Sequence, residues 1–212
     1  MTSILLASAS QRRYDWLCSF LTDGESKIES RPLISPEPAP SKGIDVRVQT
    51  ETTCIAKANA AAIEVAISGA SQDLVIVADT LVEDPEDPLV AMGKPGDVVS
   101  ATAMLLRLSG RRHRVWSSTA LLWSPNRSRE GTEVLHGGWS ADIWTESAIV
   151  EFDDLSEDTL ADLLLSESWV GKAGAYDLAG EAGANANLVE GAEVTVLGFA
   201  PAAIDALLEV LS

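Results

Sequence analysis

Residues 5–14 read LLASASQRRY, and this stretch decides the fold. An apolar run stops at Ser8, Ala9 and Ser10, two adjacent arginines follow, and a helical pattern of Tyr14, Trp16, Leu17, Phe20 and Leu21 begins. That order predicts a strand, a small-residue turn and the start of a helix. Small residues let a backbone approach a ligand closely, and the first amides of a helix have no intrahelical acceptor, so such a turn favours an anion. Arg12 and Arg13 add forked donors suited to phosphate. The chain carries a net charge of -17 with only 15 basic residues, so two arginines side by side at such a turn are unusual.

Working outward, residues 29–45, ESRPLISPEPAPSKGID, hold four prolines and read as an extended arm or cleft wall. Residues 52–67 are alanine-rich and predict a helix, with Ile55, Ala58, Ala62, Ile63 and Ala66 on one stripe and Lys57 within it. Asp73 to Val77, DLVIV, predicts a short buried strand ending at Ala78, Asp79 and Thr80. Glu83 to Pro88 reads as a turn, and Asp97 opens a helix through Leu108 that buries Val98, Ala101, Leu105 and Leu108 before Gly110. His113 to Trp123 predicts a long strand, residues 124–138 a long loop, and Glu133 to Phe152 one or two further strands. Ser156 caps a helix through Leu165. Gly171 to Gly191 reads as loop, Glu193 to Leu197 as a strand and Ala202 to Leu211 as a closing helix. Strands and helices are interleaved, which makes the fold α/β or α+β.

Composition narrows the class. The chain has 212 residues, is 46% hydrophobic and 22% charged, and can bury a real core within one domain. No apolar run reaches the roughly 20 residues of a membrane helix, and no export signal opens the sequence, so a cytoplasmic protein without membrane partners is expected. Cys18 and Cys54 lack the spacing of a zinc site or a disulfide framework. The acidic balance disfavours nucleic acid, whose phosphates meet a repulsive mean field, yet it allows a small phosphate ligand accompanied by a divalent ion. His113 and His136 lack ligand partners, and the acidic group Glu151, Asp153, Asp154, Glu157 and Asp158 reads as a solvated strand end and helix start. Neither GxxxxGK[ST] nor a GxGxxG after a strand occurs, which excludes P-loop and dinucleotide-binding chemistry of those types.

Four patches share one design, a charged residue among small ones at a strand or turn end: Ser8 to Arg13, Ala78 to Thr80, Gly93 to Pro95 and Gly171 to Gly174. Strand ends converge, so these patches are expected to face one cleft. Together they supply Arg12, Arg13, Lys94, Lys172 and Asp79, with Lys57 and Glu37 joining them. Cations that hold phosphates and carboxylates that hold Mg²⁺ or Mn²⁺ or accept a proton from water suit a polyphosphate.

At this point the residues resemble the Maf family of nucleoside triphosphate pyrophosphatases, also called septum formation proteins. Ser8-Ala9-Ser10-Gln11-Arg12-Arg13 is similar to the family's SxSxRR signature, Ala56-Lys57-Ala58 to its lysine-alanine helix motif and Ala78-Asp79-Thr80 to its ADT motif. Gly93-Lys94-Pro95, Leu108-Ser109-Gly110, Lys172-Ala173-Gly174-Ala175-Tyr176 and Leu197-Gly198-Phe199-Ala200-Pro201 resemble later blocks in order. The resemblance implies a single domain over 1–212 with an α/β fold: a central mixed, twisted sheet, flanking helices and a deep cleft between two lobes, similar to inosine triphosphate pyrophosphatase. It implies hydrolysis of dTTP, UTP or modified pyrimidine nucleotides to the monophosphate and pyrophosphate, a house-cleaning of the nucleotide pool. Asp79 is carried over as proton acceptor and metal ligand with Glu37. Arg13, Lys57, Lys94 and Lys172 are carried over as phosphate-binding residues, Ser8 and Ser10 as substrate-binding residues, and Arg12, Thr80 and Ala179 as the base-preference positions.

Two departures matter. Gly171 stands where the family has aspartate, and Ala179 stands where its pyrimidine branch has glutamine. Alanine cannot hydrogen-bond a base edge, so activity class is carried over more firmly than substrate. A pyrophosphatase for 7-methyl-GTP, or a nucleotide-binding regulator of cell division with weak or no hydrolysis, stays open as an alternative. So does a homodimer.

Overall fold

The computed structural model describes residues 2–21, 26–36, 43–69, 72–126 and 129–211. The opening strand β1 (Thr2–Leu6) lies between β2 (Ser26–Ser30) and β3 (Leu74–Asp84), parallel to both. Burial on both faces explains why Ile4, Leu5 and Leu6 form an unbroken apolar run. Helix α1 (Gln11–Phe20) follows the small-residue turn. Helix α2 (Val46–Ser68) crosses back from β2 toward β3.

The strand β3 does not end at Val77. Its pairing with β1 stops at Leu6 and Ile76, but β3 continues to Asp84, and the turn expected within 83–88 joins it to β4 (Asp87–Met92) as a hairpin. Strand β5 (Arg112–Trp123) pairs antiparallel with β3 from Leu74 to Val82. Ala78, Asp79 and Thr80 therefore lie in the middle of a strand, beyond the point where β1 has left the sheet. Polar residues interrupt the apolar run here because one edge of the strand faces open space.

The remaining strands extend the sheet. Strand β7 (Ser140–Phe152) pairs with β5, and both β6 (Glu133–Val134) and β8 (Ala186–Glu190) pair with β7. Strand β8 lies inside the stretch expected to be loop. Among the described residues, eight strands form one mixed sheet with β2-β1-β3-β5-β7-β6 as its main path.

Three cores hold the molecule. Helix α2 packs on one face through Cys54, Ala58, Ala61, Ala62 and Val65. The predicted stripe is rotated in part, since Ile63 is exposed, and the helix begins earlier because Asp45 caps it by accepting from the Arg47 amide at 2.8 Å. Helices α1 and α6 (Pro201–Leu211) cover the opposite face with Leu17, Leu21, Ile204 and Leu207. Helices α3 (Val98–Leu108) and α4 (Glu157–Leu165) pack on the far ends of the long strands through Ala101, Leu105, Leu108 and Leu163. Val98, expected inside, is half exposed.

Residues 193–197 form a short helix, α5 (Glu193–Leu197), rather than a strand. The β-branched Val194, Thr195 and Val196 mimic a strand, but the Gly198 and Phe199 amides both donate to the Val194 carbonyl, at 3.0 and 2.9 Å, and close a helical turn. Among the described residues, no helix is long and apolar enough to cross a membrane.

Candidate active site

A cavity of about 860 Å³ opens where β1 leaves the sheet. Its walls come from the β1–α1 turn, the proline-rich segment at 32–36, α2, the stretch of β3 from Ala78 to Val82, and the turns carrying Lys94 and Lys172. The four predicted patches thus do face one cleft. Among the described residues, five basic side chains line it, Arg12, Arg13, Lys57, Lys94 and Lys172, against one carboxylate, Asp79. In a chain with a net charge of -17, this is a local inversion of sign.

Asp79 is buried on β3, and its Oδ1 accepts from Lys57 Nζ on α2 at 2.6 Å. Its Oδ2 is buried without a hydrogen-bond partner. A buried carboxylate oxygen left unsatisfied is costly, so it is poised for a water molecule or a cation. Behind it, Cys54 lies fully buried, and burial pushes its thiol up to about 12, which makes it inert packing.

Arg13 has a bracing geometry. Its guanidinium donates to the Ala78 carbonyl at 3.1 Å and to Thr80 Oγ1 at 2.8 Å, and it sits over the Phe199 ring at 5.9 Å. Thr80 Oγ1 also meets Ser117 Oγ at 2.9 Å, and Ser117 donates to the Thr195 carbonyl at 2.7 Å. A Cβ on Gly198 would come within 2.5 Å of Arg13 Nε, so the absence of a side chain there makes room for the arginine. Ser10 caps α1 by accepting from the Arg13 amide, and Ser8 Oγ accepts from the Ser10 amide at 3.1 Å. Both serines line the cavity while organising the turn.

The opposite wall is held by Asp177. It accepts from Arg12 Nη1 at 2.7 Å and pairs with Lys172 Nζ at 3.3 Å. Burial works to push its pKa up, but the Arg12 and Lys172 charges outweigh burial and hold the carboxyl below its ordinary value. The turns carrying Lys94 and Lys172 are joined because the Gly174 amide donates to the Gly93 carbonyl at 3.1 Å. Gly174 has φ +68, and a Cβ there would lie 2.8 Å from Val82 Cγ2.

The expected residues fare differently. Ser8, Ser10, Arg12, Arg13, Lys57, Asp79, Thr80, Lys94 and Lys172 are brought together. Ala179 is exposed and is not among the lining residues, because the chain turns away from the cavity after Tyr176. Glu37 lies outside the described residues. Sequence reasoning missed Asp177, Ser117 and Tyr176. Tyr176 lines the cavity and bonds the buried His113 through its hydroxyl at 2.8 Å.

The family model of the Maf-like protein matches residues 3–211. The chain belongs to the Maf-like family. A dTTP/UTP pyrophosphatase of Ruegeria sp. (strain TM1040) is 32% identical to this Maf-like chain over 207 residues, covering 98% of it and 93% of the relative. One from Hahella chejuensis is 32% identical, covering 92% and 86%, and one from Pyrococcus furiosus is 29% identical, covering 99% and 95%. Among solved structures, a HAM1 protein from Coxiella burnetii aligns with TM-score 0.46 and 16% identity over 72% of this chain and 73% of that one.

Proposed function

We propose that this protein is a nucleoside triphosphate pyrophosphatase acting on dTTP and UTP, the substrates named for its relatives. The observation that carries the reading is the cavity itself: among the described residues, five cations surround one buried carboxylate whose second oxygen lacks a partner. Lys57, Lys94 and Lys172 bind the triphosphate chain, joined by Arg12 in place of Arg13, whose guanidinium donates to Ala78 and Thr80, and the small residues Ser8 to Ser10 let the chain approach the start of α1. Water attacks the α-phosphorus, forming one P–O bond as the bond to the pyrophosphate leaving group breaks. Asp79 accepts the water's proton, oriented by its ion pair with Lys57.

A divalent cation suits this donor set. Among the described residues no group of three or more His, Cys, Asp or Glu side chains gathers, so an ion would rest on Asp79 Oδ2, phosphate oxygens and water, as Mg²⁺ commonly does. Bound there, Mg²⁺ or Mn²⁺ would neutralise charge on the phosphates. On this reading the enzyme works on the cytoplasmic nucleotide pool.

The test is Asp79→Asn, which keeps shape and removes the proton acceptor. Pyrophosphate release from dTTP and UTP falls at least about 100-fold, the scale on which general bases act, while circular dichroism shows the fold retained. Unchanged release rejects Asp79 as the base. No release by the wild-type protein from any nucleoside triphosphate rejects the enzymatic reading.

A further inference from the structure

Arg12 and Lys172 reach the same wall from segments far apart in sequence, and one carboxylate fastens both. Asp177 Oδ1 takes Arg12 Nη1 at 2.7 Å, its Oδ2 takes Lys172 Nζ at 3.3 Å, and the Ala179 amide donates to Oδ1 at 3.2 Å. The three side chains are largely covered, 19%, 24% and 15% exposed for Arg12, Lys172 and Asp177. Arg12 is held a second time, its Nη2 donating to the Val196 carbonyl at 3.4 Å. Arg12 and Lys172 line the cavity whereas Asp177 does not.

We propose that Asp177 is a positioning residue that moderates charge: it fixes Arg12 and Lys172 on one wall and cancels part of their pull on a polyphosphate, so that pyrophosphate can leave. Two cations facing the cavity with a partly buried counter-charge paired to them attract an anion less than the same two alone. Partial cancellation limits product retention, because charge that binds substrate and product equally deepens both complexes without lowering the barrier between them. The proposal rests on reading the cavity as a polyphosphate site. It goes beyond that reading in assigning a role to a residue that touches the two cations rather than the substrate.

The substitution Asp177→Asn removes the charge and keeps an acceptor for Arg12, whose second anchor at Val196 is untouched. Titration calorimetry with inorganic pyrophosphate then shows binding tightened about five-fold or more, and steady-state kinetics show kcat lowered with KM lowered alongside it. Asp177→Glu, which keeps the charge, stays near wild type. Asp177→Ser, uncharged but still able to accept from Arg12, repeats the tightening and serves should the asparagine variant fail to fold. Pyrophosphate binding that is unchanged or weaker in the uncharged variants overturns the proposal, since a purely structural tether would loosen the wall. The calorimetric comparison reads binding alone, so a wild-type protein that hydrolyses no nucleotide defeats the enzymatic reading without being mistaken for failure of this one.

Discussion

Gly198 shows how a residue without chemistry decides where chemistry sits. Its φ of +124 is unfavourable to any side chain, and a Cβ there would strike the Arg13 guanidinium. Gly198→Ala is expected to destabilise the protein by about 1–3 kcal/mol in urea unfolding, through strained backbone and a displaced arginine. The same change raises KM for dTTP, because Thr80 and Ala78 lose the brace that fixes them beside Asp79. His113 sets a different dependence. Burial pushes its imidazole down to about 4, so the folded protein keeps it neutral while the unfolded chain protonates near 6.5. A depressed histidine contributes stability that is present above the unfolded value and is lost as pH falls from 6.5 toward 4. Unfolding free energy therefore drops by about 2 kcal/mol between pH 7 and pH 5 from this group alone. His113→Gln removes that increment from the pH profile, and an unaltered profile refutes the assignment.

Single elements explain which parts of the fold could be read in advance. Helices with an explicit cap and an apolar stripe were legible: Asp97 accepts from the Ser100 amide at 2.7 Å to begin α3, and Ser156 accepts from the Thr159 amide at 3.1 Å to begin α4. Asp97→Ala is expected to lower stability by about 1 kcal/mol, measured by thermal unfolding, because one orphan amide of α3 loses its acceptor. Segments whose shape depends on distant partners were not legible. Val194 to Val196 have strand-forming side chains, yet the cover they provide over Ser117 requires a helix that places the Thr195 carbonyl against that hydroxyl. The glycine-rich stretch hides β8 because its register is set by β7, with Leu188 opposite Val150. The run at 73–77 looked complete, but β5 carries β3 onward past the polar residues.

At the scale of the whole molecule, charge is divided: the chain totals -17, while the described residues of the cavity bring five cations and one carboxylate. A triphosphate approaching from far away meets net repulsion that salt screens over about 10 Å at 0.1 M, whereas contacts inside the cavity are screened less. The value of kcat/KM for dTTP is thus expected to rise roughly two-fold from about 10 to 100 mM NaCl, the reverse of an enzyme steered by a basic surface. A monotonic fall over that range contradicts it. The members of the site were legible because each is a charged residue among small ones in a local motif. Asp177 was not, since its meaning comes from Arg12, 165 positions away, and no local pattern records such a pair. That long closure also sets an order of events during synthesis. The β1–α1 turn is made first, but Arg12 waits for the Val196 carbonyl and Arg13 for the space beside Gly198 and the Phe199 ring. A nascent chain that stops short of α5 can pair β1 with β3 and still lack a finished pocket, so the protein is born inert and gains its binding site only after α5 and the turn following it have left the ribosome.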